Sequence, residues 1–331
     1  MGIKTAVSLY SYQDEYVRGK MSLEDCLREL ERNGVDGVEI LPDQMMKKAP
    51  FVSDEEIARW HCMLDTYRIA PVCNDIFINT KLYNNRILTH DENLELLQQE
   101  LRLAHRMGMR MVRLVSMTPT DIIEDALPLA EKLDVVMALE VHAGMAFDEP
   151  QTQKFTEIMF RVQSPYLGLV VDTGIFCYRP PRVFREFFLT QGVNPELADY
   201  IEKIYPQHET IAFINKPETR PAELSRLIRS EIDHVYLALA DGYENHPFTL
   251  LDKYMPYVKH FHAKTFEMLS DQEEYSIDFA GFIAYLKSRD YDGYIATEYE
   301  GGRFALPGTG VDAVSAVRQQ QKMMQTYIAG K

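Results

Sequence analysis

Short apolar runs and amphipathic stretches alternate along most of the chain. The runs Ile3–Leu9, Val35–Leu41, Ile69–Phe77, Met109–Val115, Val135–Val141, Leu167–Val171, Val258–Ala263 and Tyr294–Glu298 are each too short for a helix. Turn residues bound them, which is the pattern of strands buried on both faces. Between them, apolar residues recur at helical spacing. Leu23, Cys26, Leu27 and Leu30 share one face of a helix that Ser22 opens as N-cap. Ser53 with Glu56 and Thr89 with Glu92 have the spacing of capping boxes, and Leu94, Leu97, Leu101 and Ala104 line the helix after Thr89. Further helices are expected near residues 120–132, 151–162, 278–287 and 314–328.

Strands alternating with helices across short loops predict parallel βαβ units. A helix-Gly-strand junction recurs at Asn33-Gly34, Met107-Gly108 and Asp290–Gly293, a weak repeat at the level of one such unit. Eight units predict an α/β fold of the (β/α)8 TIM-barrel type. The rhythm breaks over residues 175–255. There Pro180, Pro181, Pro195, Pro206, Pro217 and Pro221 punctuate short helical pieces near 183–189 and 196–204. Residues 232–240 fit a helix or a strand equally well. One barrel domain over residues 1–331 is therefore expected, with 175–255 inserted between the sixth and seventh strands as a lid or interface.

Composition narrows the class. The net charge is −15 and no Lys/Arg cluster occurs, which disfavours nucleic acid as a partner. Cys26, Cys62, Cys73 and Cys177 show no CxxC spacing. Cys26 and Cys62 on apolar helix faces and Cys73 in a strand read as reduced, buried thiols of a cytoplasmic protein. The first residues enter a strand without a signal-peptide core, and no apolar run approaches the length of a membrane span.

The candidate chemistry lies where four of the strands end. Glu140, Asp172, His262 and Glu298 close the fifth to eighth strands, positions that line the mouth of a barrel of this type. One such residue alone reads as structural or solvated, but four on consecutive strands suggest one shared site. Three carboxylates and an imidazole suit a hard or borderline divalent ion such as Mn²⁺, Mg²⁺ or Co²⁺ better than structural zinc. His142, two residues beyond Glu140, points to the same side of its strand and could reach the mouth, or could serve there as a hydrogen-bonded supporting residue. His260, in the same relation to His262, is expected to orient a ligand. Asn74 with Asp75, the Arg86 loop and Lys264 are candidate substrate contacts, with Glu300 behind them. His61, His105 and the methionines read as structural.

These residues also carry a resemblance. The second strand through Glu39, Glu140-Val-His142, Asp172-Thr-Gly, His260-Phe-His262 and Tyr291-Asp-Gly-Tyr…Glu298 resemble the xylose-isomerase-like TIM-barrel superfamily of sugar isomerases and epimerases. The resemblance covers residues 1–174 and 256–300. It implies one ion, Mn²⁺ first and Mg²⁺, Co²⁺ or Zn²⁺ as alternatives, held by Glu140, Asp172, His262 and Glu298. Glu140 and Glu298 would then also act as an acid/base pair on a small sugar. Two departures stand out. Ile175 occupies a position that is His in many members, and Lys264, Thr265 and Glu267 follow where an Asp usually comes. The chain is in this respect similar to the catalytic α subunits of C-glycoside deglycosidases. These pair with a small β subunit and cleave the C–C bond of 3-keto C-glucosides after deprotonation by a His. That likeness makes His142 the base and a β subunit, or a homo-oligomer, the partner. A nuclease on the same barrel would need more His ligands and a basic face, and an inert barrel would need no ligands at all.

Overall fold

A computed structural model describes residues 2–209, 217–238, 244–306 and 308–330. Eight parallel strands close into a barrel: β1 (Lys4–Ser8), β2 (Gly37–Ile40), β3 (Ala70–Ile76), β4 (Met111–Leu114), β5 (Val136–Val141), β6 (Leu167–Asp172), β7 (Val258–Thr265) and β8 (Tyr294–Tyr299). Each pairs with its sequence neighbours, and β8 closes on β1 in the register Ala6↔Ala296. The outer layer includes α1 (Leu23–Arg32), α2 (Asp54–Tyr67), α3 (His90–Arg106), α4 (Ile123–Leu133) and α5 (Pro150–Val162). The expected (β/α)8 architecture is what forms. Caps at Ser22–Asp25 and Thr89–Glu92 are reciprocal, and Ser53 accepts from the Glu56 N–H.

Strand alternation divides the side chains into two layers. Outward residues such as Ile76, Val112, Leu139, Val171, Phe261 and Ile295 pack under the helices. Inward, Ala6, Cys73, Met111, Ala138, Val170 and Ala296 belong to a separate apolar cluster that fills the barrel below the site. Two positions further along the strands, the inward residues become Ser8, Asp75, Arg113, Glu140, Asp172 and Glu298. A small residue is needed at Gly37, where a Cβ would come within 2.4 Å of Val72 and 2.9 Å of the Tyr294 ring.

Between β6 and β7 the described residues form α6 (Arg182–Thr190), α7 (Pro195–Ile204), α8 (Ala222–Leu227) and α9 (Glu231–Ala238). The ambiguous stretch 232–240 is thus helical over its described part, and Leu239 and Ala240 lie outside the described residues. Asp233 decides this locally: its carboxylate accepts from the N–H groups of Asn194, Arg229 and Ser230 at 2.7, 2.9 and 2.9 Å. Phe184 packs against Phe188, Tyr236 and Phe304, which ties the helices to the loop after β8. One expectation fails in the outer layer. Cys62 is exposed, because α2 buries Ile57, Trp60 and Leu64 instead. The sequence shows no apolar run at its position that would require otherwise.

After β7 come a two-stranded hairpin (Met268–Ser270 with Glu273–Glu274), α10 (Phe279–Ser288) and finally α11 (Ala313–Ile328). Two of the glutamines of α11, Gln320 and Gln321, are buried rather than solvated. Gln321 donates to Ala6 O at 2.7 Å and Thr297 Oγ1 at 2.9 Å, and Gln320 to Ala263 O at 3.0 Å. Replacing Gln321 by Leu leaves two buried acceptors without this donor. It should lower the unfolding free energy by about 1–3 kcal/mol in urea denaturation. An unchanged midpoint would mean that packing alone docks the last helix.

Candidate metal centre and active site

Three strands deliver carboxylates and one delivers imidazole to a common point. Glu140 comes from β5, Asp172 from β6, His262 from β7 and Glu298 from β8. All four are buried, and one donor atom from each lies within 4.8 Å of the others. Glu140, Asp172 and Glu298 lie at or one residue before the ends of their strands, and His262 lies three residues before the end of β7. Their register explains the convergence: Asp172 pairs with His262, and Ala296, one inward position before Glu298, also faces His262.

His262 sits at the centre. Its Nδ1 is 2.9 Å from Glu140 Oε1 and 3.6 Å from Glu298 Oε2, while Nε2 is 3.0 Å from Glu39 Oε2. Burial alone would push the imidazole down, but the carboxylates of Glu39 and Glu298 hold its pKa well above the ordinary value. Glu39 Oε2 also meets His260 Nε2 at 2.9 Å. Burial acts against the Glu39 carboxylate, yet the two imidazoles hold it well below the usual range. His260 therefore orients the group that holds His262.

Cations brace the rest. Arg113 donates to Asp75 at 2.7 Å and lies 3.3 Å from Glu140, whose carboxyl it helps to keep below the ordinary range against burial. Lys264 Nζ lies 2.8 Å from Asp172, 2.8 Å from Glu298 and 2.9 Å from Glu300. Even so, burial pushes Asp172 up to about 7, Lys264 pulling it down while Glu298 and Glu140 add to the rise. Six buried carboxylates (Glu39, Asp75, Glu140, Asp172, Glu298 and Glu300) thus share two permanent cations. The negative excess and the three-oxygen, one-nitrogen donor set fit a divalent ion. With Nε2–H given to Glu39, Nδ1 is the nitrogen of His262 that faces Glu140 and Glu298.

His142 stands at the rim. Its Nδ1 is 2.7 Å from Ala143 O, which can only accept, so Nδ1 carries the proton. In the neutral ring Nε2 is then the acceptor, and Ser116 Oγ, 2.6 Å away, donates to it. The ring is held in the tautomer that leaves one basic nitrogen beside a hydroxyl.

Lys264 belongs to the cluster, as its place on β7 implies, and Glu300 is buried against it. Two other candidates do not arrive. Asn74 lies between the inward residues Cys73 and Asp75, so its side chain leaves the barrel toward Glu100 on α3. Arg86 is exposed and pairs with Glu92 at 2.7 Å, bracing the N-terminus of α3, and it stacks over Tyr83. Its loop satisfies the guanidinium before any substrate does. His61 and His105 bond carbonyls of neighbouring elements, as structural histidines do. The groups that sequence reasoning missed are Arg113 and Ser116 on and after β4, the role of Glu39, and Glu244. For Glu39, Asp75 and Arg113 a signal existed, since each lies two residues beyond an inward Gly37, Cys73 or Met111. For Glu244 there was none.

The family model for the xylose isomerase-like TIM barrel matches residues 27–327. The chain belongs to that family. Among its relatives, a C-glycoside deglycosidase alpha subunit from Arthrobacter globiformis is 26% identical, over 99% of this chain and 93% of its own length. A 3'-dehydrocarminate deglycosidase alpha subunit from a Microbacterium species is 27% identical over 97% of this chain and 94% of its own. Among solved structures, a sugar phosphate isomerase/epimerase from Parabacteroides distasonis superposes with a TM-score of 0.56 at 12% identity, covering 99% of this chain and 96% of that one. That last likeness speaks for the fold. Among the described residues no helix is long and apolar enough to cross a membrane.

The Arg113 network makes a quantitative claim. Arg113→Met strips Asp75 and Glu140 of their shared cation inside the barrel. The loss in unfolding free energy should be about 3–5 kcal/mol, the range for breaking a buried pair from one side. A loss below about 1 kcal/mol in the same denaturation assay would mean that solvent or His262 already compensates both carboxylates.

Proposed function

We propose that this chain is a divalent-metal-dependent enzyme that removes the proton beside a carbonyl of a keto-sugar and then expels a carbon-linked aglycone. That is the C-glycoside deglycosidase reaction, a C–C lyase in which the α-proton is taken from C2 of a 3-keto C-glucoside. The carrying observation is His142, fixed with Nδ1 protonated and Nε2 basic at the rim of the Glu140, Asp172, His262 and Glu298 set. The names of the full-length relatives, deglycosidase alpha subunits, support the same reading. We take Mn²⁺ as the first choice of ion, with Mg²⁺, Co²⁺ and Zn²⁺ as alternatives.

When bound, the ion supplies Lewis-acid polarisation of the ketone oxygen and a neighbouring hydroxyl. The protein does the remainder. Ser116 releases His142 Nε2 to the substrate, and that nitrogen takes the C2 proton. Lys264, beside Glu298 and Asp172, places a positive charge where the enolate oxygen develops its charge. The epimerase alternative would use Glu140 and Glu298 as acid and base. Both are held below the ordinary carboxylate range, Glu140 with help from Arg113 and His262, Glu298 by Lys264 and His262 against burial. Residues 175–255 are proposed to cover the mouth or to meet a small β subunit, in keeping with the relatives' names.

Metal analysis by mass spectrometry should find about one ion per wild-type chain, lost on chelation and in His262→Ala. A metal-free, fully folded wild type would end the mechanism. His142→Asn should keep the ion and lower release of aglycone from a 3-keto C-glucoside on the order of 10²- to 10⁴-fold, the usual contribution of a positioned base. Formation of an epimer instead of free aglycone would return the chain to the epimerase class.

A further inference from the structure

The last described part of the segment between β6 and β7 runs back toward the site. His246 N–H bonds Ile175 O at 3.0 Å, and Asn245 forms a bridge with Phe176. These contacts lay the returning chain along the exit of β6, three and four residues past Asp172. Just before them stands Glu244, 7% exposed. Its Oε1 accepts the Gly144 N–H at 2.8 Å, two residues beyond His142, and Tyr205 Oη–H donates to its backbone carbonyl at 2.9 Å. The carboxyl is thereby fixed between the exits of β5 and β6, on the side of the mouth that carries His142. Its second oxygen, Oε2, is buried, lies 3.7 Å from His246 Nε2 and has no hydrogen-bond partner among the described residues. An unpaired buried oxygen costs stability and is explained where a bound molecule completes it.

Resting on the deglycosidase reading, we propose that Glu244 is the general acid that protonates the departing aglycone. Elimination from the C2 enolate needs such a group, because the bond to C1 breaks with its electron pair going to a carbon atom, a poor leaving group unless protonated. The C2 proton goes to His142 Nε2, the enolate collapses to the ketone with a C1–C2 double bond, and Glu244 gives its proton to the aglycone carbon. One proton is taken and one given, so no oxidant or further reactant enters. Glu244 suits the role: burial pushes its carboxyl up to about 7, the Gly144 N–H opposing and the Asp148 charge adding, so a proton is available near neutrality. The insertion accordingly brings to the mouth a carboxyl that the Gly144 N–H anchors and whose second oxygen has no hydrogen-bond partner among the described residues.

Glu244→Gln is the discriminating variant. The amide oxygen can still accept from Gly144, so the loop keeps its anchor while the acidic proton is lost. Wild type and variant are given a 3-keto C-glucoside and a 3-keto 4-nitrophenyl O-glucoside, whose phenolate leaves without protonation. In D₂O, exchange at C2 is followed by NMR beside product release. The variant should lose C-aglycone release on the order of 100-fold or more, exchange C2–H without cleavage, and release nitrophenolate within about threefold of wild type. Unchanged C-aglycone release overturns the proposal. Equal loss with both substrates and at C2 exchange overturns it as well, leaving Glu244 a structural anchor of the Gly144 loop. A wild type that turns over neither substrate instead overturns the deglycosidase reading itself.

Discussion

His262 holds the interior of this barrel together. Its two ring nitrogens meet carboxylates on opposite sides, Glu140 and Glu39, and one of those carboxylates is shared with His260. Taking a carboxylate out of water costs several kcal/mol, and a pair at about 4 Å returns roughly 4 kcal/mol at an effective dielectric near 20. Each buried acid therefore needs at least one close cation. Arg113 serves Asp75 and Glu140, Lys264 serves Asp172, Glu298 and Glu300, and in the ion-free site a protonated His262 stands against Glu39 and Glu140, a charge that a bound ion would replace. The remaining negative excess is the physical reason for assigning a divalent ion to this point. The same excess would make the interior poorly stable as a mere core.

The apolar floor is what keeps that charge useful. Ala6, Cys73, Met111, Ala138, Val170 and Ala296 pack the barrel below the polar layer as an apolar cluster. Small residues there let the strands approach, and the next inward position on each strand is free to carry chemistry. Stability and function are thus stacked along the same strands. The floor belongs to packing, and the layer above it holds the candidate site.

The barrel itself was legible because buried parallel strands leave short apolar runs and the helices between them keep a 3.6-residue period. The four candidate ligands were legible for a related reason: a charged residue ending an apolar run is costly unless something pairs with it. Cys62 and residues 232–240 were less legible, since one helix face or one short apolar run has no unique reading without its neighbours. Asn74 and Arg86 show the limit for site residues. Asn74 sits one position out of the inward phase, and Arg86 is captured by Glu92 on the adjacent helix. A bulge where β2 meets β3, between Val38 and Glu39, shifts the inward phase there in a way no composition reports.

By itself the sequence determined the period of the elements, their number, and the residue types at the strand ends, because these depend on local burial and spacing. Only the tertiary structure decided which charges meet. Strand register set Asp172 beside His262, and closure of the barrel carried Glu39 across to the same imidazole. The return of the insertion along Ile175 and Phe176 brought Glu244 against Gly144, a hundred residues away in the chain. Such contacts rest on long-range packing, whose energy is spread over many side chains and leaves no local pattern to read.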